Sequence, residues 1–190
     1  MQPFSPTPAA LTDESWPASL VLSSGKIEMH IMSTEAIRNT YWRYDEAEWT
    51  KRLALLESSL RPGARLGSPF DLPMTRIDES GLFFAAMEKR LDGGSFRSLR
   101  WVANFSPVAL APFNPLIYIA EGISRDGRYF LLVRAGVRNP AVDGLADVDE
   151  GPPLEALKAR VAAKLAAAPA ASFKPSLATF DSIVQSIKLP

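Results

Sequence analysis

The stretch from Ile117 to Val137, IYIAEGISRDGRYFLLVRAGV, sets two apolar runs on either side of Asp126-Gly127. No other feature limits the fold as tightly. Two β-rich runs joined by Asp-Gly read as an antiparallel hairpin with a two-residue type I′ turn, in which both central residues take positive φ. The turn sets the register: Arg125 faces Arg128, Ile123 faces Phe130, Glu121 faces Leu132 and Ile119 faces Arg134. The opposite face pairs Ser124 with Tyr129, Gly122 with Leu131, Ala120 with Val133, and Tyr118 with Ala135. Beyond Ser124 that face is apolar apart from its phenols, so it is the expected core side, and the small Gly122 and Ala120 leave room for a helix to lie close. The first face carries Glu121 and Arg134 among isoleucines and is expected to be partly exposed or covered by loops.

A second hairpin precedes it. In GLFFAAMEKRLDGGSFRSLRWVANF, Leu99, Trp101, Ala103 and Phe105 alternate with Arg100, Val102 and Asn104. Taken alone, LFFAAMEKRL has a helical composition. The glycine-rich turn at Asp92-Gly93-Gly94 and the alternating run after it make a hairpin strand the better reading. The segment KIEMHIM, Lys26 to Met32, places Ile27, Met29 and Ile31 on one side of a half-buried strand. Asp45 to Arg61 reads as an amphipathic helix: Asp45 is the N-cap with Glu48 three residues on, Trp49, Leu53, Leu56 and Leu60 form the stripe, and Pro62-Gly63 ends it. Two more helices follow, one from Pro152 with Leu154, Leu157, Val161 and Leu165 inward. The other has Pro175 in its first turn and an apolar face of Leu177, Phe180, Ile183, Val184 and Ile187. The expected fold is α+β: an antiparallel meander of four strands, plus a fifth near Ile27, with helices packed on one face. Residues 1–20, rich in proline, read as an extended lead-in onto which Trp16 and Leu20 dock, and 21–190 as a single domain.

Charge and composition narrow the function classes. Acidic and basic residues balance at 21 each, so no basic surplus suggests nucleic acid or a polybasic membrane anchor. No run of about 18 apolar residues is present to span a bilayer. With no cysteine, disulfides, thiol catalysis and thiolate metal sites are excluded. The N-terminus lacks the basic and apolar regions of a signal peptide, which fits a cytoplasmic protein or an exported one whose leader has been removed. Neither a phosphate loop nor a dinucleotide fingerprint occurs, and the glycines of DGGSF join strand to strand, so no cofactor is expected.

Residues able to carry chemistry are few. His30 is the single histidine, sits on the polar side of its strand and is expected to be solvated; one imidazole cannot build a multi-histidine metal site. The acidic loop of Asp143, Asp147, Asp149 and Glu150 lacks the ladder and distal glutamate of an EF-hand, so no metal site is expected. Asp45, Glu46 and Glu48 belong to a helix start. Tyr41, Trp42 and Tyr44, with Arg43 between, form an aromatic cluster that suits either stacking or core packing. The remaining candidate is a polar patch on the sheet. Arg100 and Asn104 share one side of their strand, Glu121 and Arg134 one side of the hairpin. If those sides coincide, two guanidiniums, a carboxylate and an amide form one polar patch, either a structural ion pair under a loop or a ligand site whose arginines grip an anionic group.

Several of these residues also fit a longer pattern: Gly93-Gly94, Arg100-Trp101, Tyr118, Gly122, Asp126-Gly127, Arg128-Tyr129-Phe130, and Phe173, Pro175, Leu177 and Asp181. In these residues the second half of the chain resembles a family of exported or lipid-anchored bacterial proteins without an assigned activity. It departs from that family at Glu121, where the family has Gln, and at Arg134, which interrupts a small or apolar stretch. The resemblance implies an extracytoplasmic home and supplies no reaction. The expected role is therefore a non-catalytic extracytoplasmic domain that binds a protein partner or small ligand. A carboxylate-dependent hydrolase built on Glu121 and a structural envelope or assembly module are the alternatives.

Overall fold

The computed structural model describes residues 19–24, 27–38, 45–66, 68–73, 82–105, 115–143, 145 and 154–189. Strands β1 (Ser19–Ser24), β2 (Ile27–Ser33), β3 (Leu82–Asp92), β4 (Phe96–Phe105), β5 (Leu116–Ser124) and β6 (Tyr129–Val137) form one antiparallel sheet in the order β1-β2-β6-β5-β4-β3. The helices are α1 (Thr34–Arg38), α2 (Glu46–Ser59), α3 (Leu154–Ala167) and α4 (Leu177–Ser186). The α+β architecture is the expected one, with the meander β3-β4-β5-β6 closed by the strand from Ile27 beside β6. An additional edge strand, β1, begins inside the segment read as a lead-in; SLVLSS alternates well enough to pair with β2, Leu20 opposite Ile31.

Helices cover both faces rather than one. On the first face, Tyr118, Ala120, Leu131 and Val133 meet Leu157, Val161 and Leu165 of α3 and Leu177, Phe180 and Val184 of α4. On the second, Leu99, Trp101, Ile119 and Leu132 meet Ile37 of α1 and Trp49, Leu53 and Leu56 of α2. The face expected to be half-exposed is thus a second core. The cause lies in β4 to β6, which are apolar on both sides and bury nearly every residue, a pattern that needs two covering layers.

Local chemistry explains the elements. Asp45 caps α2, its carboxylate accepting from the Glu48 N–H at 2.8 Å, and Gly63, at φ 74°, turns the chain away beyond its end. Pro175 lies before α4, not in its first turn, because Ser176 takes the N-cap and accepts from the Ala178 N–H. The β5–β6 register is as expected, with Ile123 opposite Phe130 and Glu121 opposite Leu132. Its turn is not type I′: only Gly127 takes positive φ, at 75°. The Asp126 side chain organises the loop instead, accepting from the Ser124 hydroxyl at 2.6 Å and from the Arg128 N–H at 3.1 Å. The Ser124 bond first, then those from Arg128, hold the Asp126 carboxyl down at about 2.

Strand β3 carries a bulge. Ala86 pairs with Val102 and Lys89 with Arg100, so Met87 and Glu88 together oppose one residue, and Met87 takes φ 64°. The extra residue switches the parity of the strand. Phe84 and Ala86 face the α4 side before the bulge, and Leu91 does so after it.

Gly122 tests how tightly the strands are fitted. A Cβ there would run into the Ser98 hydroxyl and lie 2.8 Å from the Arg97 carbonyl oxygen, so the missing side chain makes room for β4 and not for a helix. Gly122→Ala is expected to cost about 1–3 kcal/mol in urea unfolding. Gly136→Ala, where nothing lies within 4 Å, should stay within about 0.5 kcal/mol of the parent.

Candidate functional site

Arg100, Tyr118 and Lys89, on the α4 side of the sheet, converge on Asp181. Arg100 Nε donates to Oδ1 at 3.1 Å and Nη2 to Oδ2 at 3.2 Å, a two-pronged ion pair. The Tyr118 hydroxyl adds a bond to Oδ1 at 3.1 Å and Lys89 Nζ one to Oδ2 at 3.0 Å. Each carboxylate oxygen therefore accepts from two donors. Arg100 spends its remaining Nη1 on the Met87 carbonyl, which the bulge turns toward it. Phe180, 5.1 Å from the Tyr118 ring centre, packs against the phenol that reaches Asp181.

Arg100 and Asp181 are both buried, while Lys89 is largely exposed. Burial raises the Asp181 carboxyl, but the bonds and charges of Arg100 and Lys89 outweigh it and hold the group below its ordinary range. Tyr118 moves the other way. Burial first, then the Asp181 charge and hydrogen bond, push its phenol upward, so it stays a donor. With its lone pairs filled, Asp181 is a fastener between α4 and the sheet.

The patch of Arg100, Asn104, Glu121 and Arg134 is not brought together. The strands are neighbours, but Arg100 opposes Ala120 on the α4 side while Glu121 opposes Leu99 on the α2 side. Asn104 stays with Arg100 on β4, and Arg134 stays with Glu121 across the hairpin. Glu121 is fully buried, in a row that runs His30, Leu132, Glu121, Leu99 across four strands. His30 is also fully buried, not solvated. Its Nε2 lies 2.5 Å from Glu28 Oε1, and Arg134 approaches the other Glu28 oxygen at 3.8 Å. The His30 bond, opposed by burial and helped by the Arg134 charge, lowers the Glu28 carboxyl.

Other candidates have structural work. Asp45 is a cap, and Glu48 pairs with Lys51 and Arg52 along α2. Asp143 follows the short 3-10 turn Pro140–Val142. Tyr41, Trp42, Arg43 and Tyr44, and Asp147, Asp149 and Glu150, lie outside the described residues. Among the described residues no three His, Asp or Glu side chains cluster as metal ligands, and no helix is long and apolar enough to cross a membrane.

A cleft of about 580 Å³ opens on the α2 side of the β3 bulge, lined by Arg65, Leu66, Ser68 and Glu88. Sequence reading passed over it because its walls come from a loop and a bulge about 20 residues apart. The one available signal is the broken alternation of AAMEKRL. No protein-family model matches this chain, and no curated protein or solved structure is significantly similar to it.

Replacing Asp181 by Asn leaves Arg100 buried without its charge partner, and a cost of about 3–5 kcal/mol in denaturant unfolding is expected. A carboxyl whose folded pKa is depressed contributes stability above its unfolded value, near 4, and loses it as pH falls through the folded one. The parent should therefore lose stability below about pH 4 more steeply than Asp181→Asn, measured by urea unfolding from pH 7 to pH 2.

Proposed function

We propose that the protein is a non-catalytic extracytoplasmic domain that binds a small ligand or a protein partner. The observation that carries this reading is how its reactive groups are used. The guanidinium of Arg100, the carboxylate of Asp181 and the phenol of Tyr118 are committed to one another, and Glu121 is fully buried behind a helical layer. A hydrolase needs a carboxylate that reaches both substrate and water. The cleft at the β3 bulge, by contrast, offers exposed charges of both signs.

The extracytoplasmic part of the reading rests on the family resemblance. Three residues of that pattern, Arg100, Tyr118 and Asp181, meet in a single network.

A thermal-shift screen with divalent cations, phosphates, sugars, fatty acids and peptides tests the binding reading. A binder of the folded state raises the melting temperature once its concentration exceeds the dissociation constant, by about 2.7 kcal/mol of stabilisation at a hundredfold excess. A saturable rise without turnover is expected. Hydrolysis of ester or glycoside substrates that disappears in Glu121→Gln, with the fold retained, would instead establish the hydrolase alternative. Export is checked by expressing the full-length gene in a bacterial host. Release of the protein by osmotic shock is expected, and retention with cytoplasmic markers would refute it.

A further inference from the structure

The cleft beside the β3 bulge is assembled with more care than a surface dent requires. One wall is the chain following α2, tied down by Arg90, whose Nε donates to the Ser59 carbonyl at 2.7 Å and whose Nη2 donates to the Ala64 carbonyl. The other wall is the bulge, where Met87 occupies the left-handed region that a non-glycine residue seldom adopts. The Arg100 bond to the Met87 carbonyl helps hold it there. Bulges re-aim side chains, and strained backbone persists where the surroundings over-determine it.

What the bulge re-aims is Glu88. It lines the cleft together with Arg65, both exposed, and neither side chain bonds to another described residue. Opposite charges that share a cleft without closing on each other leave a gap for a molecule that carries both signs. Ser68 adds a hydroxyl and Leu66 an apolar surface to the lining. The cleft volume of about 580 Å³ has room for a small ligand, in a cleft that stands largely open to solvent.

We propose that this cleft binds a small zwitterion, an amino acid or short peptide, whose carboxylate pairs with Arg65 and whose ammonium group pairs with Glu88. The inference rests on the binding reading above and deepens it. Arg90 and Arg100 are positioning residues that hold the two walls. Because the charges are exposed, affinity is modest, with a dissociation constant on the order of 1 mM.

The test is a titration of the isotope-labelled full chain, followed by amide chemical shifts. The probes are free amino acids, alanine dipeptide and tripeptide, and an N-acetylated, C-amidated tripeptide as control. Saturable shifts are expected at Arg65, Leu66, Ser68 and Glu88, weakened at least about tenfold in Arg65→Gln and in Glu88→Gln, and absent with the capped tripeptide. Both substitutions are at exposed sites, so the rest of each spectrum should overlay on the parent. Response to peptides but not to amino acids identifies peptide termini as the source, and the reverse identifies free amino acids. No shift at the cleft, or equal shifts with the capped tripeptide, overturns the proposal. No shift at the cleft together with a hit from the wider screen that maps elsewhere overturns the proposal while leaving the binding reading intact.

Discussion

The ion pair between Asp181 and Arg100 is the joint on which the rest of the molecule is assembled. Burying a carboxylate alone against an apolar sheet would be prohibitive, and a lone buried guanidinium no better. Together, with the Tyr118 hydroxyl, the Lys89 ammonium and the Met87 carbonyl filling further positions, their hydrogen bonds are satisfied in this geometry. That geometry fixes the rotation of α4, seats Phe180 on Tyr118, and holds the turned carbonyl of the β3 bulge. Replacing such a pair with matched apolar residues can be neutral or better for stability. Its contribution here is to specify where a mostly apolar helix must sit.

The bulge serves the same joint from the other side. Strict alternation from Phe84 and Ala86 would bring Glu88 to the α4 face and set a second carboxylate beside Asp181. The inserted residue brings Lys89 there instead and turns Arg90 to the α2 side, where it grips two backbone carbonyls. A single extra residue thus exchanges a repulsion for an attraction and fastens the opposite helical layer.

Much of this was legible in the sequence. The two hairpins, the Asp45 cap, the β5–β6 register and the last two helices follow from period, capping and turn placement, all of which act over a few residues, although the β5–β6 turn itself is not the type I′ expected. The second core was less legible. Glu121, Arg134 and His30 look like members of a wet face when their strands are read alone, and only the distant α1 and α2 make that face a core. Arg100 and Asp181, although each was noted, could not be paired, because 81 residues separate them. The bulge hides for a different reason: it breaks the period of two within LFFAAMEKRL, a run with the composition of a helix and the pairing of a strand.

The far end of α4 is closed by groups that do not belong to it. Gly94 N–H donates to the Gln185 carbonyl and Ser95 N–H to that of Ile187, while the Ser95 hydroxyl accepts from the Leu189 N–H. A Cβ on Gly93 would lie 2.5 Å from the Gln185 Cα, so the hairpin tip is shaped to this fit. A ten-residue helix is marginal alone, and this one borrows its terminal partners from a turn made about 90 residues earlier. During synthesis, at about 5–20 residues per second, several seconds pass between the end of β6 and the end of α4. A sheet formed in that interval would show to its surroundings the face of Tyr118, Ala120, Leu131 and Val133 that α3 and α4 cover in the finished fold.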